Sequence, residues 1–227
     1  IFIASPASTH KEYIIRSLLN NKNVFVEKPL CLSLDESYEI KKIAGQVNKI
    51  VFVGHLLQYH NAFNELKKNV HSGKIGNLKI IKSSRLNFGS IRERESVLYD
   101  LTSHDISMIL SITKKMPKKV EINAIFKYSN KIADYVNVIL HFEKKVLAII
   151  NSDWVSPYKE HRFSVLGSKG SLVFDDIQDW PKKLIYNPSF INDDKKITYK
   201  PEININVKKY EPLKQEIEAF LKCVENN

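Results

Sequence analysis

The sequence predicts two folds in succession: an α/β segment built on a parallel sheet, then an α+β segment built on a mostly antiparallel, open sheet. Three observations carry this. Residues 1–5, 24–26 and 50–53 are short, continuous apolar runs, as strands covered on both faces require. The two stretches between them space their apolar residues as helices do, so the order is strand, helix, strand, helix, strand. After Gly54 the pattern changes, and from residue 119 strand-like runs follow one another with only short turns between them.

The first strand turns at Ser5-Pro6-Ala7-Ser8-Thr9-His10 into a helix carrying Tyr13, Ile14, Leu18 and Leu19 at helical spacing, ended by Asn20-Asn21-Lys22-Asn23. Ser33 is the expected N-cap of the next helix, with Glu36 completing a capping box, and that helix runs to about Val47. Crossovers in such units are right-handed, so the strand ends share one edge. Ligands bind outside the carboxyl ends of parallel strands, where Ser5-Pro6 and Glu27-Lys28-Pro29 both fall.

The domain boundary is expected at Gly54, giving domains 1–54 and 55–227. In the second, residues 60–71 read as a helix closed by Ser72-Gly73, residues 78–88 as a strand, and residues 96–112 as a helix. Strands are expected at 119–127, 135–143, 146–156, 162–166 and 171–175, with hairpin turns at Glu143-Lys144-Lys145 and Gly167-Ser168-Lys169-Gly170. Residues 176–209 read as irregular, with two short strands. Residues 211–225 read as an amphipathic helix striped by Leu213, Ile217, Phe220, Leu221 and Val224. Alternation in 134–156 leaves apolar residues on both faces of the sheet, so an uncovered face is expected to pack on another subunit as a homodimer or homotetramer.

With 227 residues, 43% of them hydrophobic, the chain has material for a real core. Cys31 and Cys223 lie far apart with no metal-ligand spacing, which points to free thiols and a cytoplasmic setting. No apolar run approaches the roughly 18 residues of a membrane helix, and no leader pattern is present. The net charge of +10 comes from scattered lysines without a nucleic-acid motif, which argues against nucleic acid and reads as a solvated lysine-rich surface or as a positive field favouring anionic small ligands. No His/Cys/Asp spacing suggests a metal site, and no serine nucleophile elbow occurs. The chain opens on a buried strand with no lead-in, which reads as a fragment lacking the first half of its parallel unit.

Two motifs carry chemistry. Pro29 pushes Lys28 toward an extended conformation at the end of a strand, where its ammonium suits hydrogen bonding to a reacting oxygen and stabilising a developing alkoxide. A solvated surface lysine is the plainer reading. Asp100-x-x-x-His104 places a carboxylate and an imidazole one helical turn apart on one face. The carboxylate favours the charged imidazole while burial opposes it, and an imidazole near neutrality is a good general base. Asp105 points elsewhere and reads as structural. Glu27 serves the site or anchors its turn. Arg85, Asn87, Arg92 and Arg94 suit the anionic part of a substrate, a strand face and a charged loop being the plainer reading for Arg92 and Arg94, and His55 is a candidate for the same cleft. His60, His71, His141 and His161 read as structural or surface residues, and Trp154 and Trp180 as ordinary packing.

In their order and surroundings, Glu27-Lys28-Pro29 and Asp100-Leu101-Thr102-Ser103-His104 resemble the Gfo/Idh/MocA family of NAD(P)-dependent oxidoreductases. Pro6-x-x-x-His10, the Val53-Gly54-His55 crossover, Ser72-Gly73-Lys74-Ile75-Gly76, Asp153-Trp154 and Val165-to-Gly170 extend the likeness over nearly the whole chain. The resemblance implies a partial Rossmann domain followed by an open-sheet domain, and NAD or NADP as cofactor. It implies a cofactor site at Ser5, Pro6, Thr9, His10, Glu27, Lys28 and Gln58. Lys28, His104 and Asp100 would be catalytic, and Arg85, Asn87, Asp100 and His104 would bind a sugar or nucleotide-sugar substrate. Ser84-to-Gly89 with Leu98-Tyr99-Asp100 looks most like members that oxidise nucleotide-activated amino sugars. The sequence departs from the family pattern in three places. The glycine-rich phosphate loop is absent, Glu93-Arg94-Glu95-Ser96 stands where glycines usually precede the active-site Asp, and no arginine sits near Gln58. The alternatives are the same fold with other chemistry, such as redox-assisted glycoside cleavage or another reduction, or a non-catalytic binding or dimerisation protein.

Overall fold

The computed structural model describes residues 1–226 except 90, 93, 94 and 193. The chain divides into two compact units, Ile1–Tyr59 with Glu211–Asn227, and His60–Tyr210.

In the first unit, β1 (Phe2–Ile3), β2 (Val24–Glu27) and β3 (Val51–Gly54) form a parallel sheet in that order. Alternation sends Ile3, Val24 and Val26 to one face. There they form a core with Ile14 and Leu18 of α1 (His10–Leu19) and Ile40 of α2 (Leu34–Gln46). Tyr13 and Leu19, expected on the same stripe, are exposed. The Ser33 hydroxyl caps α2 by accepting the Glu36 N–H at 3.2 Å. The Glu36 carboxylate reaches back to the Leu32 N–H, one residue earlier than the usual partner.

The other face presents Phe2, Phe25 and Phe52, aligned across the three strands by the pairing register. Phe220 of α5 (Pro212–Glu225) covers them, with ring centroids 5.5, 5.8 and 5.7 Å away. The sequence reading puts this helix in the second domain and centres its stripe elsewhere. In the structure it groups with the first unit, its buried residues are Glu216 and Phe220, and Leu213 and Leu221 stay exposed. The reason is tertiary. The three aligned rings are the apolar surface that Phe220 meets, and burying such a side chain is worth about 1.5–3 kcal/mol.

The second unit is an eight-stranded sheet with helices on one face. Its elements are α3 (Asn61–His71), β4 (Leu78–Phe88), α4 (Ser103–Thr113), β5 (Lys119–Ile125), β6 (Tyr135–His141), β7 (Leu147–Asp153), β8 (Val155–Gly167), β9 (Ser171–Asp175), β10 (Leu184–Asn187), β11 (Phe190–Ile191), β12 (Ile197–Thr198) and β13 (Ile203–Asn204). The order is β13-β10-β9-β8-β4-β7-β6-β5, antiparallel throughout except for the β4–β7 pair, with β11 and β12 as a separate hairpin. The runs expected at 146–156 and 162–166 are in fact β7 and a long β8 that begins right after it. Among the described residues, 176–209 hold four short strands where two were expected.

Alternation again sets the faces. Ile81, Ser83 and Arg85 of β4, Val138 of β6, Ile150 of β7 and Phe163 of β8 are buried. Phe63 of α3 meets Phe163 edge-on at 5.7 Å. On the opposite face Asn137, Ile139, Ile149 and Asn151 are only half-buried, and Asn137 Nδ2 donates to Asn151 Oδ1 across the β6–β7 pair at 2.9 Å. At one end of the sheet, Gly167 admits close backbone contact, since a Cβ there would collide with the Ile75 carbonyl. Ser168 Oγ accepts the Asn77 N–H from this turn.

The helix expected over 96–112 does not start as an α-helix. Leu98–Thr102 forms a π-turn that leads into α4. Such wide turns are rare and concentrate at functional sites. Among the described residues no helix is long and apolar enough to cross a membrane.

Candidate functional site

Each unit is taken separately. At the carboxyl edge of the first unit, the β1 turn holds itself together through hydroxyls. Thr9 Oγ1 donates to the Pro6 carbonyl at 2.8 Å, which leaves Ser5 to donate to Thr9 Oγ1 at 2.7 Å. His10 is 1% exposed, and its two ring nitrogens each lie 2.8 Å from a main-chain carbonyl, of Ser5 and of Pro29. These contacts join the turn after β1 to the turn after β2.

That joint fixes Glu27-Lys28-Pro29, where Glu27 ends β2 and pairs in register with Gly54 of β3. Glu27, Lys28 and Gln58 are half-buried. His55 follows Gly54, and its Nδ1 is buried with no hydrogen-bond partner among the described residues. Burial, and then the Lys28 charge, lower the pKa of His55. An ammonium, two hydroxyls and an unpaired imidazole nitrogen at one strand edge fit a polar, phosphate-bearing ligand such as a dinucleotide.

In the second unit, Asp100 lies in the π-turn and is 8% exposed. Its Oδ2 accepts the Trp154 indole N–H at 3.2 Å and lies 3.2 Å from Arg92 Nε. His104, on the first turn of α4, is half-buried. Trp154, read from sequence as plain packing, is therefore a positioning contact for Asp100. The signal was available, because a buried indole N–H needs an acceptor. Arg92, for which the sequence leaves substrate binding and a charged loop open, pairs with Asp100 and Glu95. Arg94, named with it, lies outside the described residues.

Arg85 is 8% exposed, and its guanidinium holds Asp105, with Nε at 3.1 Å and Nη2 at 3.3 Å, while Ser83 Oγ adds a third contact at 2.7 Å. Residues 83 and 85 point to the helix-covered face of β4, so the guanidinium is tied to α4 through Asp105. Asn87 continues that row at the strand end. It is half-buried, and its Oδ1 has no hydrogen-bond partner among the described residues. Among the described residues no group of three or more His, Cys, Asp or Glu could hold a metal ion.

Comparison with known proteins agrees with this architecture. Residues 1–55 match the oxidoreductase family with the NAD-binding Rossmann fold, and residues 63–173 match the GFO/IDH/MocA C-terminal domain. The chain is similar to scyllo-inositol 2-dehydrogenase (NAD(+)) of Bacillus subtilis, 25% identical over 189 residues, covering 78% of this chain and 55% of that protein. It is also similar to 2,7-anhydro-N-acetylneuraminate hydratase of Escherichia coli, 24% identical over 191 residues, covering 77% and 51%. The crystal structure of UDP-N-acetylglucosamine 3-dehydrogenase from Acidithiobacillus ferrooxidans superposes with a TM-score of 0.81 at 19% identity, covering 99% of this chain and 69% of that one. The chain spans about half the length of the curated relatives it matches. With both parts of the family matched in order, the chain belongs to the GFO/IDH/MocA family of oxidoreductases.

Proposed function

We propose that the whole protein is an NAD(P)-dependent oxidoreductase that moves a hydride between a hydroxyl-bearing carbon of a sugar or nucleotide sugar and the nicotinamide. The observation that carries this reading is the nearly buried Asp100, held by Trp154 and Arg92 in a π-turn one step ahead of His104. When bound, the dinucleotide supplies the hydride chemistry, and the protein supplies position and electrostatics. Ser5, Pro6, Thr9, Glu27, Lys28 and Gln58 hold it, with His10 fixing the two turns behind them. His104 accepts the hydroxyl proton and Lys28 polarises the oxygen, the two roles being exchangeable. Asp100 orients either the imidazole or a substrate hydroxyl, and Asn87 offers its free carbonyl to the substrate. The half-buried sheet face joins copies into a homodimer or homotetramer, and the free Cys31 and Cys223 fit a cytoplasmic enzyme.

The test is turnover of the whole protein on a panel of sugars and nucleotide sugars. His104→Ala and Lys28→Ala should each lower kcat by about 10²–10⁴-fold, Asp100→Asn by less, and His104→Ala should leave dinucleotide affinity nearly unchanged. Near-full turnover in both alanine variants removes the residue assignment. A second reading draws on the similarity to a hydratase: the dinucleotide is needed but shows no net reduction. Product analysis against dinucleotide consumption separates the two.

A further inference from the structure

The carboxyl edge of the first unit holds more ionisable groups than the proposed chemistry uses. Glu216 of α5 is 0% exposed, and neither of its carboxylate oxygens has a hydrogen-bond partner among the described residues. The main-chain N–H of His55 lies near enough to ease its charge but outside hydrogen-bonding geometry. A buried, unpaired carboxylate is costly, so its retention calls for a reason.

Register explains how Glu216 comes to this edge. Phe25 and Glu27 are two residues apart on β2 and share the face toward α5. Phe220 and Glu216 are four apart and share one face of α5. With Phe220 seated on Phe25, Glu216 sits one turn along, and the electrostatic influence of Glu27 is felt there. Gly54, paired with Glu27, contributes no side chain to fill the space. The groups whose influence is shared with Glu216 are Glu27 from the end of β2, His55 after β3 and Tyr59 from the 3-10 turn Leu56–Tyr59, while Lys28 acts on His55 and Cys223 acts on Tyr59. Burial and then Lys28 lower His55, while burial and then Glu216 raise Tyr59. Burial first, and Glu27 second, push Glu216 up to about 7. It is the facing group poised to change charge near neutrality.

We propose that Glu216 is a positioning residue for the nicotinamide end of the dinucleotide, its charge together with that of Glu27 favouring the cationic oxidised ring over the neutral reduced ring. This rests on the oxidoreductase reading, in which Lys28 meets the reacting oxygen and the ring therefore lies at the same strand ends. With Glu216 ionised, two carboxylates favour the cationic ring. With Glu216 neutral, Glu27 acts alone and the preference weakens.

The experiment is titration of the whole protein with oxidised and with reduced dinucleotide across about pH 6 to about pH 8, read by calorimetry, not by turnover. The preference for the oxidised form should rise about tenfold over that range, the effect of roughly one pKa unit of coupling. In Glu216→Gln the preference should be flat and equal to the low-pH value. Glu27→Gln should move the wild-type midpoint to lower pH, which tests the idea even if the Glu216 variant does not fold. A flat wild-type preference, or a pH response that survives in Glu216→Gln, overturns the proposal alone. Failure of either dinucleotide to bind at any pH overturns the oxidoreductase reading and the proposal with it.

Discussion

Asp105 in the second unit and Glu216 in the first are both fully buried carboxylates, yet their surroundings are opposite. Asp105 accepts from the Ser83 hydroxyl and from two nitrogens of Arg85. Glu216 has no hydrogen-bond partner among the described residues and shares its neighbourhood with Glu27. Burial removes water from both, but only Asp105 is repaid with a bidentate, charge-assisted cation. The same chemical group thus serves as a fixed bolt between β4 and α4 in one place and as a titrating centre beside the strand ends in the other. Depth alone does not say which. The partner does.

The largest expected effect comes from unpairing Asp105. Arg85→Met should cost about 3–5 kcal/mol, because it strands a buried charge. Chemical denaturation measures this, and a loss under about 1 kcal/mol would mean that the pair is not what stabilises α4 on the sheet.

Glu216→Gln should act in the opposite direction. The folded-state value of Glu216, about 7, lies above its ordinary 4.5, so the folded chain binds the extra proton. Wild-type stability from this group is full below about pH 4.5 and falls as pH rises to about 7. The variant escapes that fall and should be more stable by about 2–3 kcal/mol at about pH 8, with no gain at about pH 4. A variant less stable at both pH values would show that Glu216 has a partner after all.

Ser83→Ala removes one of three contacts on Asp105 and leaves the cation in place, so a smaller loss of about 1.5 kcal/mol is expected. His161 gives the finest test. Burial, and then the nearby Arg85 charge, push it down to about 4 from 6.5. The unfolded chain then binds more protons between those values, and stability is lost as pH falls through that window. In Arg85→Met the titration of His161, followed by NMR, should move up toward 6.5. An unmoved titration would break the link between the buried pair and its neighbour.

Much of this was legible in the sequence. The three apolar runs, the Ser33 cap with Glu36, and the helix N-terminal to Ser72-Gly73 are local signals, and they became β1 to β3, α2 and α3. Lys28 at a strand end and Asp100 with His104 near the start of α4 are set by spacing alone. The roles of Arg85 and His10 were not legible. An arginine on an alternating strand looks the same whether it faces solvent or an aspartate twenty residues away. A histidine at a helix start does not announce that both its nitrogens will meet main-chain carbonyls. The π-turn under Asp100 was missed because the apolar spacing of 96–112 fits an α-helix equally well.

What the sequence determined by itself was periodicity and therefore element type: continuous apolar runs for the parallel strands, alternation for the large sheet, and helical spacing for α1 to α5. What only the tertiary structure decided was which faces meet. Residues 211–225 are amphipathic in any context, but the alignment of Phe2, Phe25 and Phe52 across three strands is what seats Phe220 and carries Glu216 to the edge beside Glu27. That alignment is a matter of register between segments about 25 residues apart, paired with a helix some 170 residues further on. Register between distant segments is written in no local pattern, because it comes from packing the whole unit at once.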